Sequence, residues 1–238
     1  MPLSACILFA LRRESQHFRR LVRPYQRLAS PCWSHLCGAP AHPILLVETG
    51  VGAARMAAAL DWLLTTRPPR LICAGFAGSL TADLTVGSVV WASSVCDEHG
   101  HSFPATWAPA PPLPTGRLLT FPRLVTTPAD KQALAQRHQA SAVDMESAVF
   151  ARRCTEAGIP FACVRAISDD VATALSPEVE HLLSKGAVSP WRLTTTLLRR
   201  PRLVTELLRL ARDTNLASRR LGQSLAELLG NPHRSPQR

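Results

Sequence analysis

Three short stretches of this chain hold acids at points where an apolar run gives way to something else. AVDMESAVFARRC, residues 142–154, sets Asp144 and Glu146 around Met145 at the mouth of an apolar segment. IPFACVRAISDD, residues 159–170, ends on Ser168, Asp169 and Asp170. ALRRES, residues 10–15, puts Glu14 behind two arginines just after the opening apolar run. A carboxylate can accept hydrogen bonds from both hydroxyls of a diol, give a proton to a leaving group, or take one from water. Each acid also has an ordinary explanation. The helix dipole favours an acid in a first turn, Ser or Asp commonly caps a helix, and a lone glutamate after a strand is usually a surface residue.

Two glycine-bearing turns accompany the acids. ETGVG, residues 48–52, permits a tight turn with backbone N–H groups at the head of the helical pattern AARMAAAL. It lacks the third glycine of a dinucleotide fingerprint, so a plain structural turn is the simpler reading. In AGFAGSL, residues 74–80, Gly75 and Gly78 let a backbone approach a neighbour closely.

The elements that must position these residues follow from hydrophobic periodicity. Strand-like runs SACILFAL, PILLVETG, RLICAGFAGSL, VGSVVWASSV, RLLTFPRLVTT and IPFACVRAIS alternate with helical patterns. That alternation predicts a layered α/β fold whose mainly parallel sheet is covered on both faces. In such sheets ligands bind beyond the carboxyl ends of strands, which is where the acids fall. The helix PADKQALAQRH should be capped by Thr127 with Pro128 in its first position, and Gly158 should stop the helix that begins near Met145. The proline-rich stretch 98–117 reads as a surface loop or flap, and its His99 and His101 have no local company for a metal.

Composition narrows the class. The 238 residues, 46% of them hydrophobic, can bury a full core as one domain. No run of about 18 apolar residues suggests a membrane span. In the opening SACILFALRR the positive charges follow the apolar stretch, which favours a first strand over a signal segment. Seven cysteines without paired spacing argue for reduced thiols in a cytoplasm, and neither a metal nor an organic cofactor is implied. The net charge of +10 is concentrated late in the chain, where residues 187–238 carry ten arginines against three acids. That segment has leucines at helical spacing but no interleaved aromatics, so it reads as a basic amphipathic extension laid on the body (residues 1–186) or on a partner chain. Contact with an anionic membrane surface is the rival reading, and no nucleic acid is expected.

Taken in order, ETGVGAARMAAAL, AGFAGSL and above all AVDMESAVFARRCTEAGIPFACVRAISD resemble the nucleoside phosphorylase superfamily. The pattern is nearest to the nucleosidases that cleave methylthioadenosine and adenosylhomocysteine and to hopanoid-associated phosphorylases. The resemblance spans roughly residues 5–185. It implies a three-layer α/β/α sandwich with a mixed, partly barrel-like sheet, an enzyme that cleaves the N-glycosidic bond of a purine nucleoside or 5′-modified adenosine, and a homodimer or higher oligomer. Carried over residue by residue, Glu146 grips the ribose and Met145 walls the sugar. Asp169, with Ser168 beside it, is the general acid at the purine, Glu14 activates water, and Gly75, Phe76 and Ala77 line the substrate. Asp144 is supporting structure. Two features depart from the family pattern: Phe76 stands where Ser or Thr is common, and VTTPADKQAL lacks the aromatic residue that stacks on the base. Phe76 favours hydrolysis over phosphorolysis, while Arg12 and Arg13 should favour an ionised Glu14 and also keep phosphate binding open. Loss of both features also leaves room for a silent nucleoside-binding protein.

Overall fold

The computed structural model describes residues 3–38, 43–107, 113–179 and 201–229. The first half runs β1 (Ala5–Phe9), α1 (Arg12–Val22), β2 (Pro24–Arg27), β3 (Trp33–Cys37), β4 (Ile44–Glu48), α2 (Ala53–Thr65) and β5 (Leu71–Ser79). The second runs β6 (Val89–Asp97), β7 (Ser102–Pro104), β8 (Thr115–Thr120), α3 (Pro128–His138), β9 (Ala142–Asp144), α4 (Ser147–Ala157), β10 (Phe161–Asp169) and α5 (Pro201–Leu228).

All ten strands belong to one sheet. β5 pairs β10, β10 pairs β6, β6 pairs β8, β8 pairs β9, and β9 returns to β5, so five strands close into a small barrel. From β5 a wing of β1, β4, β3 and β2 extends outward. Parallel and antiparallel pairings are equally represented among the described strands, which corrects the mainly parallel sheet expected from the apolar runs. The reason is physical: a strand buried on both faces reads as continuously apolar whichever way it runs. The mixed, partly closed sheet implied by the family resemblance is the arrangement observed.

Side chains alternate across the sheet and sort into two layers. Cys6 and Leu8 of β1 face Met56, Leu60 and Leu63 of α2 and Phe150 of α4. Ile7 and Phe9 face the opposite way, with Phe18 and Val22 of α1 and Leu221 and Leu225 of α5. Each such fully buried side chain contributes about 1.5–3 kcal/mol relative to exposure. The late basic segment therefore supplies a helix that shares the core of the body. Ser218 donates to the Arg13 carbonyl at 2.6 Å, and His17 Nε2 lies 3.1 Å from Asn215 Oδ1. The expected boundary at residue 186/187 lies outside the described residues. No described helix is long and apolar enough to cross a membrane.

Local signals resolve as follows. Thr127 caps α3 by accepting from the Asp130 N–H at 3.1 Å, and Gly158 ends α4 at φ 65°. RLLTFPRLVTT is a strand only through Thr120; Pro122, with no N–H for a ladder, follows the exit. Within the proline-rich stretch, residues 102–104 pair with β6 instead of forming a free loop, and residues 108–112 lie outside the described part. His101 is exposed and sits 2.7 Å from Asp97 Oδ2. No cluster of potential metal ligands occurs among the described residues.

Candidate active site

Glu14 is the third residue of α1. Its Oε2 accepts the Leu11 N–H at 2.7 Å, the reciprocal half of a capping box, and its Oε1 accepts the Phe76 N–H of β5 at 2.8 Å. The side chain is thus pinned between the head of α1 and the neighbouring strand, only 4% exposed. Burial pushes its carboxyl up to about 7 against the pull of the Arg165 guanidinium. A carboxyl poised there can exchange a proton near neutral pH. Arg12 and Arg13 are exposed, so the cation beside Glu14 is Arg165, a correction to the expectation that its sequence neighbours would tune it.

Arg165 stands midway along β10, 2% exposed, paired with Asp144 and donating to Ser147 Oγ at 2.7 Å. Burial works against its charge, but Asp144, Cys73, Cys163 and Glu14 together more than offset this and raise the guanidinium further. A Cβ on Gly75 would overlap Arg165 Nη1 and lie 2.7 Å from Glu14 Oε1. Glycine at this point of β5 is what lets both groups enter the same space. Gly75 itself is not part of the cavity wall. Asp144 also accepts from Thr120 Oγ1 at 2.7 Å and from the Ser147 N–H, and it stands in the cavity wall.

Glu146 follows β9 and is the N-cap of α4, one residue before the helix proper. Its side chain makes no cap bond to its own helix and instead reaches the head of α2, where Oε1 accepts the Gly52 N–H at 2.9 Å. Gly52 holds φ at 101°, a left-handed geometry that other residues rarely adopt. The ETGVG turn therefore aims a helix N-terminus at a carboxylate. Burial first, then Asp144, raises the Glu146 carboxyl above its ordinary range, with Arg165 opposing.

Asp169 closes β10. Its Oδ1 accepts the Ser168 hydroxyl at 2.9 Å, and its Oδ2 lies 2.5 Å from Lys131 Nζ of α3. A Cβ on Gly78 would stand 2.9 Å from Asp169 Oδ2, so this second glycine admits the acid. Ser168 and Asp169 do not cap a helix, since a turn follows them.

These groups meet. A cavity of about 170 Å³ is lined by Glu14, Phe76, Met145, Glu146, Ser168 and Asp169, with Ala77, Leu124 and Val125 also in its wall. Val125, the first residue of the segment VTTPADKQAL, and Leu124 just before it give the wall an aliphatic surface. Two residues escaped the sequence reading. An arginine inside the apolar run FACVRAIS was a visible signal, because a charge in a buried strand must have a partner. Lys131 gave no signal, since lysine on an amphipathic helix is ordinarily exposed.

The architecture is that of an α/β/α protein carrying a carboxylate-lined cavity at the rim of a small strand barrel. The family model of the phosphorylase superfamily matches residues 34–120 and 105–199, and the chain belongs to that family. Among curated relatives, the 5′-methylthioadenosine/S-adenosylhomocysteine nucleosidase of Chromohalobacter salexigens is 27% identical over 66% of this chain and 80% of its own length. That of Haemophilus ducreyi is 30% identical over 53% of this chain and 67% of its own. Among solved structures, the futalosine hydrolase of Helicobacter pylori superposes with a TM-score of 0.72 at 16% identity, covering 96% of this chain and 97% of that one, which establishes the fold.

Proposed function

We propose that this chain hydrolyses the N-glycosidic bond of a purine nucleoside or 5′-modified adenosine. The observation that carries the reading is the convergence of Glu14, Glu146 and Asp169, distant in sequence, on one cavity. Glu146, steadied by the Gly52 N–H, accepts hydrogen bonds from the vicinal hydroxyls of the ribose. Glu14, with a carboxyl near 7, takes the proton from a water attacking the anomeric carbon. Asp169 delivers a proton to the departing purine, whose ring nitrogen otherwise carries the electron pair of the broken bond. Met145, Phe76, Leu124 and Val125 supply apolar walls for sugar and base.

Hydrolysis is favoured over phosphorolysis by electrostatics. The Phe76 N–H is already committed to Glu14, and a phosphate beside that carboxylate would meet like charge. The names of the curated relatives bring 5′-methylthioadenosine and S-adenosylhomocysteine forward as first substrates to try. An adjoining groove of about 490 Å³, sharing Ala10 and Leu11 with the cavity and lined by Pro31, Trp33, Arg12 and Arg55, gives a 5′ substituent somewhere to lie.

The test is purine release from a panel of nucleosides with and without phosphate. The expected products are free purine and free sugar at a rate independent of phosphate. Ribose 1-phosphate would replace hydrolysis by phosphorolysis, and binding of adenosine by calorimetry with no turnover of any compound would make the chain a silent nucleoside-binding protein. A homodimer or higher oligomer belongs to the same proposal on family resemblance, and light scattering checks it.

A further inference from the structure

Lys131 is the least expected residue near the cavity. It is 1% exposed, and its ammonium is held by Asp169 Oδ2 at 2.5 Å and by the Asp170 carbonyl at 2.6 Å. An apolar side chain would fill this face of α3 without the cost of burying a charge, which is several kcal/mol per ion when unpaired. In the ion pair the proton belongs to the lysine, and Asp169 faces the cavity as a carboxylate with nothing to give a leaving purine.

Resting on the hydrolase reading above, we infer that Lys131 is the proton store of the site and that Asp169 passes its proton to the base. As the bond between C1′ and the base nitrogen breaks, the electron pair goes to the base. The base takes a proton from the Asp169 carboxyl while Nζ gives its own to Asp169 across their hydrogen bond. Water adds to C1′ and yields a proton to Glu14. The turnover leaves Lys131 neutral, Glu14 protonated and Asp169 ionised, and solvent returns the proton from Glu14 to Lys131. The Asp170 carbonyl keeps the amine in place throughout, because a neutral amine still has an N–H to donate there. Lys131 thus acts through Asp169 and need not touch the substrate.

The experiment compares two substrates in the full-length enzyme. A purine nucleoside needs a proton on its leaving group; 4-nitrophenyl riboside, whose phenolate is a stable anion, does not. Lys131→Met should lower kcat for the purine nucleoside by about 10²–10⁴-fold and for the nitrophenyl riboside by only a few-fold. Lys131→Arg separates proton supply from charge, since a guanidinium keeps the ion pair but does not give up its proton. It should therefore show the same split, and it serves as the second variant if the methionine unfolds the chain. Full purine activity in Lys131→Arg, or equal losses on both substrates in both variants, overturns the role of Lys131 alone. A wild-type protein that cleaves neither compound overturns the hydrolase reading and this inference with it.

Discussion

Glu14 and Arg165 converge on the Cα of Gly75, in the space where any other residue would carry its Cβ. Neither can retreat, because Glu14 is pinned by two backbone N–H groups and Arg165 is 2% exposed and paired with Asp144. Gly75→Ala is therefore expected to destabilise the chain by about 1–3 kcal/mol through overpacking. It should also displace Glu14 and cost at least about tenfold in kcat. Urea denaturation and steady-state kinetics check both. An alanine variant with wild-type values in each would mean that the two groups have room the geometry denies them.

The buried Glu14 carboxyl makes two pH-dependent predictions. As a base it works only when ionised, so kcat/KM should climb through about pH 7 and level off above it. Stability runs the other way. Between the ordinary carboxylate range and about 7, the folded chain holds a proton on Glu14 that the unfolded chain has released. Stability therefore falls as pH rises across that window and the loss is complete above it. Glu14→Gln should abolish the kinetic limb. Relative to wild type it should gain stability on the order of 3 kcal/mol between pH 4 and pH 8. A variant whose urea midpoint tracks the wild type at both pH values would remove Glu14 as the source.

Glu146 is assigned to the ribose diol, so its removal should erase discrimination between a nucleoside and its 2′-deoxy counterpart. Glu146→Gln can still accept the Gly52 N–H and fill the same volume, which keeps the head of α2 in place. The loss in kcat/KM for the ribonucleoside is expected to be about 10–100-fold, the worth of one or two charge-assisted hydrogen bonds. The deoxynucleoside should lose much less. Equal losses on the two substrates would assign Glu146 to structure.

The helix α5 should behave as core on one side and surface on the other. Leu221→Ala removes a fully buried side chain packed among residues of the sheet and α1, and should cost about 2–5 kcal/mol. Leu208→Ala, at a position 65% exposed, should change stability by no more than about 0.5 kcal/mol. Thermal melts of the two variants decide the matter, and similar midpoints would mean α5 does not hold the body together.

Much of the layout was legible in the chain. Strands β1, β4, β5, β6 and β10 follow from apolar runs, α3 from Thr127 and Pro128, and the stop of α4 from Gly158, because period, cap chemistry and left-handed geometry are local properties. The motifs around Glu146 and Asp169 were equally local, and their order along the chain was enough to suggest the family. Strand direction was not legible, nor were β2 and β3, whose short mixed sequences owe their pairing to a neighbour. The environment of each acid belonged wholly to the tertiary structure. Arg165 replaces Arg12 and Arg13 as the partner of Glu14, Gly52 steadies Glu146, and Lys131 of α3 stands against Asp169. Such pairings join residues 38 to more than 90 positions apart, and their strength comes from water being excluded once the layers close. Residue types decide which groups can carry a charge or a proton; packing decides which of them share one dry space.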